Sequence, residues 1–304
     1  MRAAVVDLGT NTFELLIADI DQKGDWTPLI SEEVPVFLGK GGIQKNHIAE
    51  EAQKRALECL VGFSDKIKKA QCAIVKCTAT SALRNADNSS AVIEKIFDLT
   101  GLKIDVISGE QEATFIAKGT ALAMVGFDNA YLVMDIGGGS TEFVLMKNEN
   151  VLFKRSIELG ATRLLEEHGL SDPPSTSELE GMKKTISTGF APIVEVLKKH
   201  SVNTLVGGSG TFDTFKAMMN LEERNAIAEY NTEELIALLN TLISSDRSAR
   251  ISMPGLIEFR VDTIIPSALM VQYFLNSGIE KVLWSSYALK EGVMQKILEK
   301  TAPA

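Results

Sequence analysis

The chain has 304 residues, 45% of them hydrophobic and 23% charged, the balance of a globular protein and not of a disordered or fibrous one. At ~150 residues per domain, that length allows two domains. Forty acidic residues against 31 basic ones give a net charge of −9, which repels nucleic acid and anionic membranes and disfavours a DNA-binding role.

Taken in chain order, Ala3 to Val6 is a short apolar strand, Asp7-Leu8-Gly9-Thr10-Asn11-Thr12 a polar glycine turn, and Phe13 to Ile20 a second strand. Ala49, Ala52, Ala56, Leu60, Phe63 and Ile67 step by three and four, one face of a long helix. Ala73 to Val75 reads as a strand, Ser90 to Leu99 as a helix, Ile104 to Ile107 as a strand and Glu110 to Met124 as a helix. The opening construction then returns. Tyr131 to Met134 is apolar, Asp135-Ile136-Gly137-Gly138-Gly139-Ser140-Thr141 makes the turn, and Glu142 to Met146 continues as a strand. Asp135 follows Asp7 by 128 residues, so an internal duplication opens a second domain. Asp172-Pro173-Pro174 marks a break, after which Ser175 and Glu178 form a capping-box signature for a helix towards Lys199. Thr204 to Val206 is a strand, Gly207-Gly208-Ser209-Gly210-Thr211 leads into a helix from Phe212, and Leu289 to Glu299 is a last helix. Strands alternating with helices predict an α/β protein with mainly parallel sheets in two lobes. The lobes are read as 1–125, joined by a C-terminal helix at 289–304, and 126–288.

Cys59, Cys72 and Cys77, spaced by 13 and 5, form neither a CxxC pair nor a zinc pattern and are read as small buried hydrophobes in a reducing cytoplasm. The start MRAAVVDLGT lacks the features of a signal peptide, and no stretch approaches the ~20 apolar residues of a membrane span. A soluble, cytoplasmic protein is the expectation. Met218, Met219 and Leu221 are candidates for a homodimer face, with core packing as the favoured alternative.

The two Asp-headed turns carry the chemistry. Glycine lets backbone N–H groups close on an anion. The turn at Asp135 runs into a period-two pattern, so it is a hairpin grip and not a strand-to-helix nucleotide loop. Its amides, Ser140 and Thr141 would surround a phosphate. Asp7 and Asp135 suit Mg²⁺, which accepts one or two carboxylates with water and phosphate oxygens. Turn capping is the alternative use of either aspartate.

At DLGTNTFELLIA, ATSALRNA, ISGEQEA, DIGGGSTEFVL and GGSGTFD, the chain resembles the exopolyphosphatase/guanosine pentaphosphate phosphohydrolase (Ppx/GppA) family. The segments around Pro254-Gly255-Leu256, Arg260 and Asp262, and Leu289-Lys290-Glu291-Gly292, resemble it too. The resemblance implies two ribonuclease-H-like lobes of the sugar kinase, actin and heat-shock chaperone superfamily, with an active site in the interlobe cleft. It implies Mg²⁺-dependent removal of a terminal phosphate from polyphosphate or guanosine pentaphosphate. It assigns Glu112 as general base in preference to Glu110, because the family's glutamate directly precedes a small residue. A glutamate set among other carboxylates becomes a stronger base. The resemblance further implies catalytic roles for Arg84 and Glu142 and metal ligation by Asp7, Asp135 and Glu142. Phosphate contacts would come from Gly9, Thr10, Asn11, Thr12, Gly137, Gly138, Gly139, Ser140, Thr141, Gly208, Ser209 and Gly210.

Two positions depart from the pattern. Glu14 and Phe37 stand where many members carry arginine, and a carboxylate at position 14 would oppose an anionic substrate. Lys40 remains as a candidate phosphate contact, with surface solvation as the equal alternative. These losses, together with an end soon after the second lobe, imply a small or short polymeric phosphoanhydride substrate. His47, His168 and His200 form no metal cluster and are read as surface or structural. The competing readings are a kinase of the same superfamily and a non-catalytic guanosine nucleotide sensor.

Overall fold

Residues 1–301 are described by the structure, a computed structural model. The elements in chain order are β1 (Arg2–Leu8), β2 (Thr12–Ile20), β3 (Trp26–Pro35), α1 (Glu50–Lys69), β4 (Ile74–Ala79), α2 (Ser81–Asn85), α3 (Ser89–Thr100), β5 (Ile104–Val106) and α4 (Gly109–Ala123). There follow β6 (Tyr131–Ile136), β7 (Thr141–Lys147), β8 (Asn150–Ile157), α5 (Ala161–His168), α6 (Thr176–His200), β9 (Thr204–Gly208) and α7 (Ser209–Met218). Then come β10 (Ile227–Tyr230), α8 (Thr232–Ser244), α9 (Arg247–Ile251), α10 (Ile264–Leu275), β11 (Lys281–Ser285) and α11 (Leu289–Thr301).

Two units divide the chain. One is Met1–Gly119 with the helix from Leu289, and the other is Thr120–Ala288. The division falls inside α4, between Gly119 and Thr120.

The first unit holds a sheet in the order β3-β2-β1-β4-β5. β1, β2 and β3 form an antiparallel meander, while β4 and β5 run parallel to β1. The second sheet, taken from its β8 edge, runs β8-β7-β6-β9-β11-β10. Its first five strands repeat the order and sense of the first sheet, and β10 adds an antiparallel edge. Each unit is thus ribonuclease-H-like, and the duplicated turns are the β1–β2 and β6–β7 hairpins. The expectation of mainly parallel sheets is corrected: three strands of each sheet form a meander, because strands joined by a tight hairpin must run antiparallel.

Side-chain alternation builds the cores. In the first unit Val6, Leu8, Phe13 and Leu15 meet the apolar stripe of α1, including Leu60 and Phe63. In the second, Phe143 of β7 packs edge-on against Phe190 of α6, with ring centroids 5.0 Å apart. The helix α6 starts as its sequence predicts: Ser175 accepts from the Glu178 N–H, and the Glu178 carboxylate accepts from the Ser175 N–H at 2.8 Å. Further bonds from Ser171 help pull Glu178 down to about 2. Met218, Met219 and Leu221 pack, partly buried, against the second core.

The cysteine expectation holds for one residue of three. Cys77 is buried, whereas Cys59 and Cys72 are half-buried at the margin of the first core. Burial pushes the Cys77 thiol up to about 12. A thiol about four units above the pH of a pH 8 assay is ~10⁻⁴ thiolate, the reactive form. Iodoacetamide at pH 8 should therefore leave Cys77 unmodified in the folded protein and modify it after unfolding; peptide mapping that finds native Cys77 alkylated as fast as Cys72 would contradict this.

Candidate active site

In the first unit the glycine turn closes through the Gly9 N–H, which donates to the Thr12 carbonyl at 3.1 Å. Asp7, half-buried, is the penultimate residue of β1, and Thr12 opens β2. The segment after β3 folds over this turn: the Val36 and Phe37 N–H groups donate to the Asn11 carbonyl, and the Gly39 N–H to the Thr10 carbonyl. Gly39 is required by contact, since a Cβ there would lie 2.6 Å from the Thr10 methyl. Arg55 of α1 reaches the same segment, donating to the Val36 and Phe37 carbonyls at 2.7 and 3.0 Å. Lys40 is exposed, with its ammonium 5.8 Å from the Phe37 ring centroid.

The β1–β2 register sets Asp7 opposite Glu14, so the two carboxylates share one face of the sheet. Glu14 was expected to oppose an anion. In the structure its carboxylate accepts from Lys290 Nζ of α11 at 2.5 Å, and both side chains are largely buried. Lys290 Nζ also lies 3.7 Å from the buried Glu291, so one ammonium stands beside two carboxylates. The two residues lie 276 positions apart, so nothing local in the sequence signals the contact.

Arg84 and Glu112 are brought together. Arg84, in α2, donates through Nη1 to Glu112 Oε2 at 2.8 Å and to the Ile107 carbonyl at 3.2 Å. Their side chains are only 14% and 9% exposed. Glu112 sits in the first turn of α4, where the helix dipole also favours an anion. A guanidinium at hydrogen-bond distance favours the anion, the form that accepts a proton. Glu110, two residues earlier, is exposed.

The second unit repeats the Asp–Glu arrangement. Asp135 faces Glu142 in register across β6 and β7, and Glu142 faces Ser156 across β7 and β8. Both carboxylates are buried. The Ser156 hydroxyl donates to Glu142 Oε1 at 2.6 Å, and the Ser209 hydroxyl donates to Asp135 Oδ2 at 2.8 Å. The turn itself closes through the Gly137 N–H and the Ser140 carbonyl. Behind it, the Ala161 N–H donates to the Gly137 carbonyl, and the Thr162 and Arg163 N–H groups donate to the Gly138 carbonyl. Arg163 Nε adds a bond to the Gly139 carbonyl at 3.0 Å. Ser140 is buried in the turn. Thr141 departs from its expected role as a phosphate donor: it is fully buried and gives its hydroxyl proton to the Leu159 carbonyl at 2.6 Å. It holds the turn from inside because β7 alternation points it inward.

The third glycine segment is also corrected. Ser209 and Gly210 are the first turn of α7, which starts three residues before the expected Phe212. Gly208, Ser209 and Gly210 thus stand at a helix N-terminus, whose amides suit an anion. The Arg260 guanidinium lies against this turn, so that a Cβ on Gly210 would fall 1.9 Å from Nη2.

These two glycines give opposite expectations. A Cβ on Gly160 would meet the Gly138 and Gly139 backbone at 2.5–2.6 Å, which cannot yield. Gly160→Ala should cost about 1–3 kcal/mol by overpacking. Gly210→Ala meets the movable end of an arginine and should melt within ~0.5 kcal/mol of wild type while displacing Arg260. Thermal unfolding of both variants checks the contrast; equal losses would refute it.

A family model described as the Ppx/GppA phosphatase family matches residues 16–301. The chain belongs to this family. Ppx/GppA relatives include a guanosine-5'-triphosphate,3'-diphosphate pyrophosphatase of Photobacterium profundum, 28% identical over 299 residues that cover 98% of this chain. The chain spans 59% of that curated relative's length. Among solved structures, an exopolyphosphatase from Cytophaga hutchinsonii is 33% identical, with a TM-score of 0.93 over 99% of this chain and 98% of the other. The Ppx/GppA enzyme of Aquifex aeolicus, 24% identical with a TM-score of 0.78 over 97% of this chain and 99% of that one, shares the fold.

An all-oxygen donor set fits Mg²⁺ and not zinc, which prefers nitrogen and sulfur. Among the described residues no group of three His, Cys, Asp or Glu side chains forms a protein cage for a metal. The buried pair Asp135 and Glu142 on one sheet face matches the one or two carboxylates that Mg²⁺ takes. No helix among the described residues is long and apolar enough to cross a membrane.

Proposed function

We propose that the chain hydrolyses phosphoanhydrides, removing the terminal phosphate from short polyphosphate or from guanosine pentaphosphate. The observation that carries this reading is the buried Arg84–Glu112 pair, a carboxylate base fixed by the cation that the reaction also needs. The named activities of the Photobacterium and Cytophaga relatives support it.

In this reading Glu112 orients a water molecule and takes its proton as the water oxygen bonds to the terminal phosphorus. The bridging P–O bond breaks and the shortened anion leaves. Arg84 keeps Glu112 in place and offers positive charge to the phosphoryl oxygens, the main electrostatic demand of phosphoryl transfer. Each unit brings phosphate grips of its own: the Gly9–Thr12 turn in the first, and the Gly137–Ser140 turn and the α7 N-terminus with Arg260 in the second. Asp135 and Glu142 would hold Mg²⁺, with Asp7 the matching carboxylate of the first turn; the ion would neutralise charge on the phosphate oxygens.

A sensor reading, motivated by Glu14 and Phe37 where many members carry arginine, would show tight nucleotide binding with no phosphate release. A kinase would show ATP consumption that depends on an acceptor. The deciding experiment measures phosphate release from short polyphosphate, long polyphosphate, guanosine pentaphosphate and ATP, with and without Mg²⁺. Mg²⁺-dependent release from one of the first three, without an added acceptor, is expected. No release from any of them would overturn the proposal.

A further inference from the structure

Alternation along β4 sends Cys77 into the core with Phe63 and sends its neighbours Lys76 and Thr78 to the opposite sheet face. Asp105 of β5 pairs with Thr78 in register and joins them on that face. There α4 and α11 cover the sheet incompletely, because β5 has only three residues and is the sheet edge. A cavity of about 460 Å³ remains, within the ~300–1,000 Å³ range of small-molecule sites.

Its lining has two parts. Ile107, Phe115, Val293 and Ile297 make apolar walls, and Lys76, Lys296 and Lys300 bring three ammonium groups. Val293, Lys296, Ile297 and Lys300 follow helical spacing, so one face of α11 supplies both characters. Lys76 pairs with Asp105 at 2.8 Å; Lys296 pairs with Glu299 at 3.1 Å, and Glu299 also pairs with Lys118. Among the described lining residues three lysines stand against one carboxylate, Asp105, in a chain whose overall charge is −9.

The geometry points to a binding site for a mononucleotide-sized organic phosphate, its flat ring on the apolar walls and its phosphate at the lysines. A compact ammonium is a point-charge partner for phosphate, and a dianionic monoester matches the excess of two positive charges. The site is separate from the groups assigned to hydrolysis, but it adjoins them: its lining residues Ile107 and Gln111 flank the segment that anchors Arg84 and carries Glu112.

Pyridoxal 5'-phosphate tests this without reading phosphate release. Its ring and phosphate fit the cavity, its aldehyde condenses with a lysine amine to give an imine and water, and borohydride reduces the imine to a stable amine. Peptide mapping then identifies the labelled lysines. At limiting probe, Lys76, Lys296 and Lys300 should carry most of the label, and AMP should suppress it about tenfold where equal adenosine or inorganic phosphate does not. Gln111 also lines the cavity and is exposed, so Gln111→Glu should fold, keep the wild-type melting temperature and lower labelling at these lysines about tenfold. Labelling spread evenly over exposed lysines such as Lys183 and Lys198, protection by phosphate equal to that by AMP, or unchanged labelling in Gln111→Glu would each overturn the site. Labelling in Glu112→Gln should equal wild type, so failure here is distinct from failure of the hydrolase reading.

Discussion

Glu112→Gln should lower turnover by about 10²–10⁴-fold, the usual contribution of general-base catalysis, or roughly 3–5 kcal/mol. The substitution keeps size and planarity and leaves an amide oxygen that can still accept from Arg84. It removes the basic lone pair needed by the attacking water. Substrate binding relies on the glycine turns and cations, so KM should stay within about threefold of wild type, which is the pattern of an interaction made only in the transition state. Initial rates of phosphate release across substrate concentration separate the two parameters. Retained turnover within about threefold would remove Glu112 from the mechanism. A large rise in KM at constant turnover would make it a binding residue.

Much of this site was legible because its signals are local. The capping box at Ser175 and Glu178 spans three residues, and the structure holds both of its bonds. The repeated Asp–glycine–hydroxyl turns announced a duplication, and the two sheets repeat one strand order. Glu112 and Arg84 were named separately through the family resemblance, but their ion pair depends on how α2 and α4 pack, and spacing alone does not carry that. The same limit hid Lys290 beside Glu14, Arg55 on the Val36 carbonyl and Ser156 on Glu142. Each needs register or helix placement fixed by the whole unit. Thr141 shows a subtler failure. Its hydroxyl suggested a phosphate donor, but pleat parity at the start of β7 turns it into the core. Asp135 and Glu142 were assigned as an acidic pair, and the register supplies what spacing could not: they are cross-strand neighbours, as are Asp7 and Glu14 in the duplicate.

Arg84→Met should have a different signature, in stability before activity. It leaves the Glu112 carboxylate buried without its guanidinium, and breaking one side of a buried pair typically costs about 3–5 kcal/mol. The Ile107 carbonyl loses a donor at the same time, which adds to the cost. Methionine has a similar length and an apolar stem, so packing alone accounts for little of the loss. Much of the penalty belongs to the stranded charge, and removing that charge should recover it. The double variant Arg84→Met with Glu112→Gln should accordingly be more stable than Arg84→Met alone by about 2 kcal/mol, as expected for directly coupled residues. Denaturant unfolding of wild type, both single variants and the pair completes the cycle. Strict additivity would mean that the two groups do not sense each other in solution. Coupling of the expected size would tie the position of the base to the cation that stabilises the phosphoryl group, so that one contact serves both folding and catalysis.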